Sequence, residues 1–117
     1  MRNGRDRLLD ILEAIKRIER YAGGGRESVE NDELKLTWIV YHMQIVGEAA
    51  RKLSEPLRSL HPEVPWAEII AMRNVLVQDY FGIDTEEVWN AVERDLPHLK
   101  RNLGQILGGL GEEETNA

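Results

Sequence analysis

Leu8, Leu9, Ile11, Leu12, Ile15 and Ile18 recur at three- and four-residue spacing, with Arg, Lys, Asp and Glu between them. That period predicts an amphipathic helix with Asn3 or Asp6 as its cap. Gly23-Gly24-Gly25 ends it, because consecutive glycines have too much backbone freedom to stay helical. A second helix is expected from about Asn31 or Asp32, through Trp38, Ile39, His42, Ile45, Val46, Ala49 and Ala50, to Leu53. Its apolar face is wide, so it either sits centrally or carries a second helical layer, which in a chain this short could be another subunit. Ser54-Glu55-Pro56 breaks it, and a short helical turn around Leu57–Leu60 leads into a connector. Pro65 fits the first position of a third helix running from Trp66 through Ile69, Arg73 and Val77 to Tyr80. Gly82 is a natural stop, and Asp84-Thr85-Glu86-Glu87 resembles a capping box that opens a fourth helix from Val88 to Leu107. Pro97 inside that helix frees the carbonyl of Glu93, which predicts a kink or a restart. No alternating strand pattern and no internal repeat is visible. The expectation is an all-α, up-down bundle of four to five helices, with one domain over 1–107 and a flexible Gly/Glu tail over 108–117.

Composition narrows the chemistry. The chain has 117 residues, no cysteine and three widely separated histidines, which excludes thiolate catalysis, disulfides and Cys-based zinc sites. No metal is expected. No apolar run approaches the length of a membrane span, and the N-terminus leads straight into an amphipathic pattern, so a cytoplasmic protein is expected, with no membrane partner. The formal charge of −6 argues against a protein that coats nucleic acid, and no DNA partner is expected. The charge is unevenly spread: residues 1–58 hold 11 Lys+Arg and 10 Asp+Glu, residues 59–117 hold 4 and 11. An RNA or nucleotide partner would therefore need a local basic site.

Arg73 is the informative residue. Ile69, Arg73, Leu76, Val77 and Tyr80 fall on one helical stripe, and an arginine on an otherwise apolar stripe needs a carboxylate, a phosphate or a water-filled cleft. Glu48 is a candidate partner, which would both neutralise Arg73 and orient it. Gln78 lies five residues on, roughly 140° round an ideal helix, so the two converge only if the helix end distorts or a dimer brings them together. Asn74 and Gln78, at i and i+4, share a face.

The stretch Ala71-Met72-Arg73-Asn74-Val75-Leu76-Val77-Gln78-Asp79-Tyr80-Phe81-Gly82-Ile83-Asp84 resembles the signature segment of the HepT-like branch of the HEPN superfamily, which carries Arg-x4-His-x-Tyr. Four further segments are similar in the same order: Arg5-Asp6 with the following Leu-Leu-Asp-Ile-Leu-Glu-Ala-Ile run, Val46-Gly47-Glu48-Ala49-Ala50-Arg51-Lys52-Leu53, Pro62-Glu63-Val64-Pro65-Trp66, and Val88-Trp89 with Asp95-Leu96-Pro97-His98-Leu99. The resemblance spans about residues 5–105. It implies a HEPN-like helical homodimer with no cofactor. It further implies the toxin of a toxin–antitoxin pair that cleaves RNA without metal, silenced by an MNT-type nucleotidyltransferase antitoxin that adds AMP to the motif tyrosine. Carried over, Arg73 is the motif arginine, Asn74 its polar neighbour and Tyr80 the AMP acceptor.

The motif histidine is replaced by Gln78. Cleavage by 2′-hydroxyl attack needs one proton removed and one delivered, which imidazole can do near neutrality and an amide cannot. Loss of that help costs about 10²–10⁴-fold, so a weakened or inactive ribonuclease is expected, with phosphate binding by Arg73 retained. Asp79, beside the motif position, is a weak substitute base. His42 is read as a hydrogen-bonded core or interface histidine, His61 and His98 as surface residues, and Arg2, Arg5 and Arg7 as a solvated face. Trp38, Trp66 and Trp89 are read as core or interface fillers. The competing expectation is a non-catalytic helical dimer that serves a nucleotidyltransferase as partner or nucleotide-binding module.

Overall fold

The structure, a computed structural model, describes residues 3–78 and 84–116, with side chains for 3–73 and 84–109. It is all-helical among these residues. The helices are α1 (Gly4–Ala22), α2 (Arg26–Glu30), α3 (Glu33–Arg51), α4 (Glu55–Leu60), α5 (Trp66–Gln78), α6 (Thr85–Asn90) and α7 (Leu96–Asn116), with one π-helical turn, Ala91–Asp95, joining α6 to α7.

Local chemistry explains most boundaries. Asn3 accepts from the Asp6 amide while Asp6 reaches back to the Asn3 amide, a reciprocal cap that starts α1. Asp32 caps α3 through the amides of Leu34 and Lys35, Ser54 caps α4, and Asp84 caps α6 through those of Glu86 and Glu87. Pro65 lies one residue before α5, and its carbonyl accepts from the Ile69 amide. The glycine segment does not lead straight to α3: Gly25, at φ 92°, turns the chain into α2, whose single buried residue is Val29. The predicted disturbance at Pro97 takes the form of the π turn. The Leu96 amide donates to the Ala91 carbonyl five residues back, which widens the helix just before the residue that has no N–H to give.

The apolar face of α1 (Leu8, Ile11, Ile15, Ile18) packs on α3, and α3 also packs on α5. α3 is therefore the central helix, which accounts for its wide apolar face. Ile39, Met43 and Val46 on it are fully buried, and Leu96, Leu99 and Leu103 of α7 close the core from the α1 side. The helices α3 and α5 come close together at Gly47. A Cβ there would lie 2.7 Å from Arg73 Cβ and 3.2 Å from both Arg73 N and Ile69 O, so only glycine fits without moving a helix. No described helix is long and apolar enough to cross a membrane.

Candidate functional site: a cleft that holds Arg73

A cleft of about 610 Å³ runs along α3, with α1 as one side and Arg73 of α5 as the other. From α1 it receives Arg7, Asp10, Glu13 and Arg17, which fall on one stripe with Ala14. From α3 it receives Tyr41, Gln44, Ile45, Glu48 and Lys52, again at three- and four-residue spacing, with His42 beside them. Its charged groups are mixed in sign, unlike the acidic C-terminal half of the chain.

Arg73 sits at the α3–α5 crossing, with its root packed against Gly47 and its head near Glu48. Arg73 Nε lies 2.8 Å from Glu48 Oε2, and the two side chains are 41% and 30% exposed, so the guanidinium is lodged in an open cleft rather than sealed in the core. Glu48 also meets Arg51 Nη2 at 2.7 Å and Lys52 Nζ at 3.5 Å. The hydrogen bond from Arg51, then the charges of Arg51, Arg73 and Lys52, hold the Glu48 carboxyl down at about 2, against the desolvation that would raise it. It is an anion at any physiological pH, and it fixes the arginine through Nε. A guanidinium fixed this way is preorganised to meet a phosphate.

Tyr41 and His42 of the lining belong to an aromatic group with Tyr21 and Trp38, which do not line the cleft. Tyr21 packs edge-on against Trp38 with centroids 5.1 Å apart, and the His42 ring lies 4.3 Å from Trp38 and 5.1 Å from Tyr41. Trp38 Nε1 donates to the Arg17 carbonyl of α1 at 3.0 Å, which ties the two helices together here. His42 Nδ1 lies 2.8 Å from the Trp38 carbonyl oxygen; a carbonyl only accepts, so Nδ1 carries the proton. Tyr41 is 58% exposed, whereas His42 is buried.

Of the residues singled out from the sequence, the structure brings Arg73 and Glu48 together. Asn74 and Gln78 lie on the backbone of α5, and their side chains are outside the described residues; Asp79 and Tyr80 lie outside them altogether. Arg7, read as part of a solvated face, lines the cleft. Tyr41, Gln44, Lys52 and the α1 residues Asp10 and Arg17 were missed. Their helical spacing was visible, but nothing in the sequence joins a stripe on α1 to one on α3 some thirty residues later. Trp66 is a buried filler whose Nε1 donates to the carbonyls of Arg58 and His61. His61 lies 3.4 Å from Glu63 and His98 is exposed near Arg101, both away from the cleft. Among the described residues no group of three His, Asp or Glu is placed to hold a metal ion.

The family described as "Ribonuclease HepT-like" matches residues 11–106. A protein of Thermococcus cleftensis named "Probable ribonuclease HepT" is 39% identical over 103 residues, covering 85% of this chain and 91% of its own. A "Putative RNase" of Caldanaerobacter subterraneus is 33% identical over 90 residues, covering 77% and 80%. A Methanocaldococcus jannaschii protein named "Gamma-glutamylcyclotransferase and putative RNase" is 31% identical over 110 residues, covering 91% of this chain and 48% of its own. Solved structures gave no significant match. With a family match over most of its length and a relative of this identity, the chain belongs to the HepT-like ribonuclease family.

Proposed function

We propose that the protein is a HepT-like toxin that engages RNA in the α1–α3–α5 cleft, with Arg73 holding the scissile phosphate. The observation that carries this reading is the 2.8 Å contact of Arg73 with Glu48 inside a cleft large enough for a nucleotide unit, in a chain of this family. Asn74 and Gln78 line the same end of α5 in this proposal. Two copies form a homodimer that brings the two α5 helices together. Gln78 in place of the motif histidine weakens cleavage, and Tyr80 accepts AMP from an MNT-type nucleotidyltransferase antitoxin.

Two experiments test it. Purified protein is incubated with single-stranded RNA in EDTA, beside Arg73→Ala and Gln78→His. Arg73→Ala should weaken RNA binding about tenfold, as expected for a lost charge-assisted hydrogen bond at a half-exposed site. Gln78→His should raise cleavage, by up to about 10²–10⁴-fold. If Arg73→Ala binds RNA as well as the parent and Gln78→His gains nothing, the ribonuclease reading fails. Intact mass after incubation with ATP and a cognate nucleotidyltransferase should rise by AMP units, and Tyr80→Phe should abolish the rise. An unchanged mass removes the modification step.

A further inference from the structure

We propose that His42 is the acid–base group of this cleft, with its Nε2 taking the proton from the attacking 2′-hydroxyl. The inference rests on the ribonuclease reading above and supplies the proton acceptor that Gln78 cannot be. Three observations carry it. His42 lines the same cleft as Arg73 and Glu48, and neither His61 nor His98 does. Its ring is fixed, by the 2.8 Å bond from Nδ1 to the Trp38 carbonyl and by the flanking Trp38 and Tyr41 rings. Because that bond places the proton on Nδ1, the neutral ring presents a lone pair at Nε2. A base needs this combination: a locked tautomer, a locked ring and a shared cavity with the phosphate-holding cation.

His42 and Glu48 are six residues apart on α3, about 9 Å along its axis and roughly 120° round it, and both line the one cleft, where Glu48 touches Arg73. RNA would lie along α3 with its phosphate at Arg73 and the neighbouring ribose toward His42. In the step, the 2′-O–P bond forms as Nε2 accepts the 2′-hydroxyl proton. The P–O5′ bond breaks, its electron pair leaves on O5′, and O5′ takes a proton from water. The imidazolium then returns its proton to solvent. Arg73 meets the charge that grows on the phosphoryl oxygens. The ionisable neighbours in the cleft are Arg7, Asp10, Glu13 and Arg17 on α1, Tyr41, Glu48 and Lys52 on α3, and Arg73 on α5.

His42→Asn is the discriminating variant, because its amide N–H can still donate to the Trp38 carbonyl while Nε2 is gone. The full-length protein, His42→Asn and Gln78→His are assayed on single-stranded RNA in EDTA across pH 5–9, with RNA affinity and thermal midpoint measured on each. The expected result is slow cleavage by the parent that rises with pH, as general-base catalysis requires. His42→Asn should lose at least 100-fold in kcat, together with that pH dependence, and should keep RNA affinity and midpoint. Parent-like cleavage by His42→Asn overturns the assignment. So does a parent that does not cleave while Gln78→His does, a result that leaves the ribonuclease reading standing. Absence of both cleavage and RNA binding in the parent and in Gln78→His overturns both.

Discussion

Replacing Gly47 by alanine probes the contact that places Arg73. The new Cβ would meet Arg73 Cβ at 2.7 Å and two backbone atoms, Arg73 N and Ile69 O, at 3.2 Å. Carbon atoms in contact sit at about 3.5–4.0 Å, so α5 would have to retreat by roughly 1 Å. Backbone cannot swing aside as a side-chain tip can, and overpacking of this kind costs about 1–3 kcal/mol. Alanine returns up to about 1 kcal/mol in helix propensity. The net expectation is a loss of about 0–3 kcal/mol, or up to about 12 °C in Tm at roughly 4 °C per kcal/mol for a chain of this size. The functional loss should be larger. Retreat of α5 carries the Arg73 root away from α3, where Glu48 stays, and a displacement near 1 Å can cost about 100-fold in a site that works by positioning. Gly104 is the control: it lies within α7, and a Cβ there meets nothing within 4 Å. Gly104→Ala should therefore show the propensity gain alone and leave RNA cleavage and binding unchanged. Thermal melts and RNA assays of the two variants side by side separate clash from propensity. If Gly47→Ala stabilises as much as Gly104→Ala and binds RNA normally, the crossing is not closed at Gly47 and the positioning argument is wrong.

Other expectations are local. The Glu48 carboxyl is held at about 2, below the ordinary carboxylate value, so its ion pairs contribute fully above about pH 4.5 and are lost as pH falls toward 2. The difference in Tm between the parent and Glu48→Gln should be constant from pH 8 to 5 and shrink below it. The underlying stability difference should stay under about 1 kcal/mol because the carboxylate is partly exposed, and a difference that titrates near neutrality would contradict the assignment. Asn3→Ala removes the reciprocal cap of α1 and should cost about 1 kcal/mol in urea denaturation; no change would mean that this end of the helix is frayed in solution. Trp66→Phe strips the donor from two carbonyls at a buried position and should cost about 1–2 kcal/mol, whereas a neutral substitution would show that water replaces it.

The sequence exposed the long helices because their periodicity extends over several turns, and it exposed the cap at Asp84, and Asn3 and Asp32 each as one of two alternatives, because such side chains mimic a backbone acceptor; Ser54 read only as part of a break. It did not expose α2. Five residues give no period, and a single buried valine after three glycines reads as a loop. The disturbance at Pro97 was legible, but not its form, since a kink, a restart and a π turn all satisfy a missing N–H. Arg73 stood out because charge on an apolar stripe demands a partner, and Glu48 was nameable as a carboxylate one helix away. The aromatic group at the cleft was hidden. His42 was legible as a hydrogen-bonded core histidine, and it is buried with Nδ1 on the Trp38 carbonyl; that it also lines the cavity holding Arg73 follows only from the packing of α1 on α3.

Gly47 and Glu48 are consecutive, so one turn of α3 governs both ends of Arg73 by different forces. The Cβ is placed by hard contact with a glycine, which salt does not affect. The head is placed by a carboxylate shared with Arg51 and Lys52, which salt does affect, because at 1 M the screening length falls to about 3 Å and exposed pairs weaken. Raising ionic strength should therefore release the guanidinium while leaving the α3–α5 crossing in place. RNA binding also weakens with salt through phosphate contacts alone, so the two effects must be separated. Glu48→Gln does this. If the carboxylate orients Arg73, its removal weakens binding at low salt and leaves little further difference from the parent at high salt. A Glu48→Gln variant that binds RNA more tightly at low salt would mean that the carboxylate competes with phosphate for the arginine rather than presenting it.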